Sequence, residues 1–200
     1  AAGLLAIPAS AGSEGYLRYP DIHADRVVFV AEGDIWTASA SGGAATRITI
    51  HPGGESQPRF SPDGARIAFT GRYDGNADVF VVSDSGGEPT RLTWHPGVDE
   101  VIGWTPDGAH VIFRSSRNDP MGRAELFLAP AKGGEVTKLP LGWAARVDVD
   151  PDSGRYAFTR TQRERRTWKR YRGGTATRIW VGDPKKQDYS QVTRFVGMNA

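Results

Sequence analysis

The stretch from Arg160 to Gly174 reads RTQRERRTWKRYRGG and holds seven basic side chains against one acid. Arg163, Arg165, Arg166, Lys169, Arg170 and Arg172 could grip carboxylates, arginine doing so through a planar fork of donors. Trp168 and Tyr171 offer rings on which guanidinium groups or ligand side chains could stack. The competing reading is a solvated or inter-domain loop whose aromatics anchor it to the protein. Nucleic-acid binding is not favoured. The formal net charge is only +2, the basic excess is local, and the remainder of the chain is net acidic.

Serine, histidine and aspartate are all present, but a catalytic triad is a matter of geometry, and inventory does not make one. The sequence contains no H-E-x-x-H, no G-x-S-x-G and no glycine-rich phosphate loop. His51 and His95 each precede Pro-Gly, 44 residues apart. That repetition points to a turn role, with the side chain bonding loop backbone. His23 lies in a first turn and His110 at a strand start, without paired ligand spacing. Asp74, Asn76 and Asp78 alternate as ligands of a hard cation would, but lack the rest of a calcium loop. No metal or cofactor is expected. The absence of cysteine excludes disulfides, thiolate zinc sites and cysteine nucleophiles.

These residues sit in a repeat. Gly42-Gly43 returns as Gly86-Gly87 and Gly133-Gly134, and Arg47-Ile48-Thr49 returns as Arg91-Leu92-Thr93. Ser61-Pro62-Asp63-Gly64 returns as Thr105-Pro106-Asp107-Gly108 and, degenerate, as Asp150-Pro151-Asp152-Ser153-Gly154. Each unit reads as a first strand ending in an aromatic (Phe60, Trp104), then a Pro-Asp-Gly turn. Proline presets φ there, Asp bonds the turn and Gly takes positive φ. A second strand alternates, as in Ile67 and Phe69 or Val111 and Phe113, which predicts a half-buried strand. A third strand follows (Asp34-Ile35-Trp36, Asp78-Val79-Phe80, Glu125-Leu126-Phe127, Arg178-Ile179-Trp180). A Gly-Gly hairpin then leads to a fourth strand carrying Arg-Ile/Leu-Thr.

Four antiparallel strands in about 44 residues predict a β-propeller blade. The expected fold is all-β, with about four blades, roughly 16–53, 54–97, 98–141 and 142–194, and a stub at 195–200. The chain thus reads as a truncated part of a larger ring, with a complete four-bladed propeller as the alternative. Residues 1–15 read as a signal-peptide remnant and leader. They have no initiator Met, an apolar run over Leu4–Ile7, and Ala9-Ser10-Ala11 as an A-x-A site. Export, to the periplasm, is the expectation, with a flexible leader on a cytoplasmic protein as the alternative. No run reaches the ~20 apolar residues of a membrane-spanning helix.

Two stretches carry a more specific likeness. YPDIHADRVVFV at 19–30, followed by Asp34-Ile35-Trp36, resembles the opening blade of tricorn proteases. WKRYRGGT at 168–175, followed by Ile179-Trp180, resembles their fourth blade. The resemblance implies a large serine peptidase of oligopeptides that assembles as a homo-oligomer, hexameric in the best-known case. In that family a six-bladed propeller precedes a second propeller and a PDZ-containing catalytic region. The propellers channel and filter peptides, and the catalytic serine and histidine lie in the later region. No catalytic residue is therefore expected in this chain. The resemblance also implies, for some family members, basic residues of the first propeller that hold the substrate's C-terminal carboxylate. No Arg pair occurs between Trp94 and Gly103, and residues 163–172 are the substitute in view. The generic repeat also resembles TolB-type binding propellers and the propellers of prolyl-oligopeptidase-like enzymes, which stand as alternatives.

Overall fold

A computed structural model describes residues 16–161 and 177–192. All regular structure among them is β. The first sheet holds β1 (Arg18–His23), β2 (Arg26–Ala31), β3 (Asp34–Ser39) and β4 (Thr46–Arg47). The second holds β5 (Glu55–Phe60), β6 (Arg66–Gly71), β7 (Asp78–Ser83) and β8 (Thr90–Arg91). The third holds β9 (Asp99–Trp104), β10 (His110–Ser115), β11 (Glu125–Pro130) and β12 (Thr137–Trp143). The fourth holds β13 (Arg146–Val149), β14 (Tyr156–Thr159), β15 (Ile179–Asp183) and β16 (Asp188–Gln191). Each sheet is an antiparallel meander with its strands in sequence order. The first strand of each blade packs beside the first strand of the next, β1 on β5, β5 on β9 and β9 on β13. Four blades of a β-propeller are thereby set side by side around a wall of inner strands.

The turns behave as their residues dictate. Gly64 and Gly108 have φ of 70° and 65°, the left-handed region that a Cβ disfavours. Asp63 Oδ1 accepts the Ser61 hydroxyl at 2.5 Å and the Ala65 N–H at 3.1 Å, and Asp107 does the same for Thr105 and Ala109. The fourth copy inverts this arrangement. Asp150 stands where Ser61 and Thr105 stand, and accepts from the Ser153 hydroxyl and the Asp152 N–H.

The period-two alternation sends neighbouring side chains to opposite seams. Ile67 and Phe69 of β6 join Val28, Val30, Ile35 and Phe60 between blades one and two. Ala68, between them in sequence, joins Val79, Leu92, Val101, Trp104 and Phe113 between blades two and three. The third seam is filled by Ile112, Leu126, Leu139, Leu141, Ala144, Tyr156 and Phe158. Each fully buried aromatic such as Phe69 contributes about 3 kcal/mol by removing apolar surface from water. Where no further blade is described, the matching positions stand open: Ile22 is 62% exposed and Val192 60%.

The fourth strands are shorter than the Arg-Leu-Thr pattern predicts, two residues each in the first two blades. The chain leaves the sheet at Ile48 and Leu92 to cross to the next blade. Thr49 and Thr93 then turn back so that their hydroxyl oxygens accept the N–H of Ile35 and Val79, at 2.9 and 3.0 Å.

Candidate functional site: the inner-strand wall

One position recurs on the four inner strands, one residue before the aromatic or aliphatic side chain that pairs with the second strand. It is filled by Asp21, Arg59, Gly103 and Asp148. All four line one groove of about 430 Å³, together with His23, Phe60, Trp104 and the prolines of three turns. The groove lies at the end of the wall where the Pro-Asp-Gly turns are. Its lining mixes two carboxylates, one guanidinium and one glycine with apolar side chains. A Cβ added at Gly103 would meet no atom within 4 Å.

The wall residues also tie blade to blade. Asp21 Oδ2 accepts the Phe60 N–H at 2.9 Å. Arg59 Nε donates to the Ile102 carbonyl at 3.2 Å, and Trp104 Nε1 donates to the Arg59 carbonyl at 3.0 Å. The inner strands are locally strained as well. Tyr19 and Gln57 occupy the same position, three residues before Ile22 and Phe60, with φ of 53° and 56°. Each precedes a proline and sits at a register break, a bulge that bends the strand and re-aims side chains.

A second set of polar groups is buried behind the wall. Asp34, Asp78 and Glu125 open the third strands and pair with Arg47, Arg91 and Lys138 of the fourth. Burial pushes the Asp78 carboxyl up from its ordinary range, against the pull of Arg91 and Thr93. In the fourth blade the acid position is Arg178, and its partner is Gln191 Oε1 at 3.3 Å.

Glu55 and Asp99, which open β5 and β9, are also buried. Glu55 accepts from the Thr49 hydroxyl, the Tyr73 hydroxyl and the Ile35 N–H. Burial outweighs those bonds and raises its pKa, while burial and the Glu55 charge raise that of Tyr73. Asp99 pairs instead with Arg117 at 2.5 Å. Sequence reasoning missed this pair of acids. The signal was there: Glu55 and Asp99 are 44 apart and in phase, directly behind the two His-Pro-Gly turns.

The turn role of two histidines is seen directly. His51 Nδ1 accepts the Gly53 N–H and His95 Nδ1 the Gly97 N–H, both at 2.9 Å. His51 also stacks on Tyr73, with ring centroids 3.6 Å apart. His23 packs against Gly64, where a Cβ would come within 2.3 Å of its ring. His110 opens β10 and its N–H is held by the Thr105 hydroxyl at 3.0 Å. The calcium-like set is committed elsewhere. Asp74 and Asp78 hold Arg91, and Asn76 donates to the His95 carbonyl at 2.7 Å. Among the described residues no three His, Asp or Glu side chains gather as a metal site. Arg163, Arg165, Arg166, Trp168, Lys169, Arg170, Tyr171 and Arg172 lie outside the described residues, as do the Ala9-Ser10-Ala11 site and the stub at 195–200.

Comparison with known proteins agrees with this architecture. The profile of the tricorn protease N-terminal β-propeller domain matches residues 14–200. Tricorn protease homolog 1 of Streptomyces coelicolor is 37% identical over 167 residues, covering 83% of this chain and 16% of that protein. The crystal structure of the tricorn protease superposes with a TM-score of 0.77 at 28% identity, over 90% of this chain and 18% of that one. A putative TolB from Agrobacterium tumefaciens superposes with a TM-score of 0.67 at 18% identity, covering 84% of this chain and 61% of that one, a likeness of fold alone. The chain spans about one sixth of the length of the curated relative named above. With its family profile matched along nearly its whole length, the chain belongs to the tricorn protease N-terminal β-propeller family.

Proposed function

We propose that the chain acts as the non-catalytic N-terminal propeller of a tricorn-like serine peptidase. Its inner-strand wall guides oligopeptides to or from a catalytic region elsewhere in the polypeptide. The carrying observation is the recurring wall position, Asp21, Arg59, Gly103 and Asp148, around one open groove. A surface of alternating charge with one open place suits passage: it wets a peptide backbone without a deep pocket that would hold it. In this reading the blade units are 16–53, 54–97, 98–141 and 142–194, four blades of a six-bladed ring. The full-length protein is a homo-oligomer, exported to the periplasm, and the basic segment 163–172 adds contacts for peptide carboxylates.

The reading is supported by the structural use to which the repeated histidines and buried acids are put. His51 and His95 hold turns, and the buried acids pin strands. The test is an active-site label. A fluorophosphonate probe should mark the full-length protein and leave residues 1–200, expressed alone, unlabelled and without peptidase activity. Labelling of the 1–200 chain would overturn the reading.

A further inference from the structure

In an antiparallel meander, successive connections alternate between the two ends of the sheet. The turns from first to second and from third to fourth strand lie at one end of the propeller. Among the described residues, the loops from second to third strand and the crossings to the next blade lie at the other. The two ends differ in kind. At the crossing end Ile50, Trp94, Val98, Met121 and Trp143 are all exposed, from 42% for Trp143 to 81% for Ile50. Among the described residues the turn end carries no exposed large apolar side chain in its turns. It presents charged side chains of both signs instead, with Asp63, Glu88, Asp107 and Asp152 exposed alongside Lys132, Arg155 and Lys185.

The charges at the crossing end are already sorted. Its acids are engaged: Asp74 and Asp78 on Arg91, Asp99 on Arg117 and Asp119 on Arg123. Glu32, on the first blade, is the exposed exception among the described residues. Arg72 and Arg178 are exposed with no acid partner among the described residues, and Arg178 donates to Gln191 Oε1 at 3.3 Å. The two tryptophans lie beside the sorted cations. The Arg123 guanidinium lies 3.4 Å from the Trp143 ring centroid and is itself fixed by Asp119 at 2.7 Å. The Arg91 guanidinium lies 5.9 Å from the Trp94 ring and is fixed by Asp74 and Asp78, each at 2.6 Å. Tryptophan has few rotatable bonds and so loses little entropy on contact, and tryptophan and arginine dominate binding hot spots.

We infer that the crossing end is a docking surface for an anionic polypeptide segment bearing aromatic side chains, anchored at Trp94 and Trp143. The surplus guanidiniums favour the carboxylates and the exposed rings the apolar side chains. The inference goes beyond the channel and does not depend on it.

The test uses the 200-residue chain and three fluorescein-labelled decapeptides, of alternating Glu/Phe, Lys/Phe and Glu/Ser, read by fluorescence polarisation. The Glu/Phe peptide should bind at least about tenfold tighter than the other two. Binding should fall about tenfold in a chain carrying both Trp94→Ser and Trp143→Ser. Arg72→Ala with Arg178→Ala should flatten its salt dependence. The open-blade variant Ile179→Ser with Val192→Ser should bind as the parent does, and melting curves of all variants check the fold. Equal binding of the three peptides would overturn the inference. So would loss of binding in the open-blade variant alone, or equal competition by a double-stranded DNA oligonucleotide. Sedimentation showing self-association that the tryptophan variant abolishes would assign the face to a second copy of the chain instead.

Discussion

The first two seams of the propeller and the third are closed by different chemistry. At the first two, a basic residue opening the second strand lies over the aromatic that ends the next inner strand. Arg26 lies 5.6 Å from the Phe60 ring and Arg66 lies 4.9 Å from Trp104. Each arginine then reaches further into the next blade, Arg26 to Asp84 and Arg66 to the Gly108 carbonyl at 2.9 Å. The matching residues at the third seam are His110 and Val149. The buried acids Glu55 and Asp99 likewise give way to Ala144. Its N–H donates to the carbonyl before β11, as theirs do to the carbonyls before β3 and β7. What remains is a cluster of leucine, isoleucine, tyrosine and phenylalanine. The repeat therefore specifies geometry through turns and alternation, while the polar pins between blades are exchangeable for apolar packing.

The largest effects should come from swapping the two chemistries at the equivalent buried position. Ala144→Asp puts an unpaired carboxylate into an apolar seam and should cost about 3–5 kcal/mol in urea unfolding. Asp99→Ala should cost somewhat less, about 2–3 kcal/mol, because it leaves the half-buried Arg117 guanidinium uncompensated. If both changes were neutral, the two seams would not be distinct. A smaller contrast is expected at the strand openings. Arg66→Ala loses a stacked cation and a hydrogen bond to the next blade, about 1–2 kcal/mol. His110→Ala at the third seam should stay within about 0.5 kcal/mol.

How much of this the sequence disclosed depends on the range of the interaction. The Pro-Asp-Gly turns, the His-Pro-Gly turns and the alternating strands are local, so their residues declare themselves. The inner-strand aromatics were legible because they repeat in phase. The pins were not. Arg26 reaches Asp84, 58 residues away, and Glu55 and Asp99 find unlike partners, Tyr73 and Arg117, at the same place in their blades. No repeat of residue type marks such a pair. The wall position was hidden for the same reason: Asp21, Arg59, Gly103 and Asp148 share a place and no chemistry.

The smallest effect separates the acids by pH. Glu55 is held above its ordinary range by burial, so the folded state binds its proton more tightly than the unfolded one. Its ionisation therefore lowers stability as pH rises from the ordinary carboxylate value through the raised one, and the cost persists above that. Asp63 and Asp107 are held low, chiefly by the Ser61 and Thr105 hydroxyls. Their contribution is present above the ordinary carboxylate value and is lost as pH falls through the lowered one. NMR titration should place Glu55 above, and both turn aspartates below, an unperturbed carboxylate. Glu55→Gln should lessen the fall in stability with rising pH, leaving the part that the raised Asp78 carboxyl contributes, and an unchanged profile would place that proton elsewhere.

The central claim, that the inner-strand wall is a passage, is tested most directly at Gly103, where the groove has room for a side chain. Gly103→Trp in the full-length peptidase should narrow the passage without entering the core. Hydrolysis of a ten-residue peptide should slow by about tenfold in kcat/KM, while a short chromogenic substrate is cleaved within about twofold of the parent rate. Equal slowing of both substrates, or of neither, would contradict it.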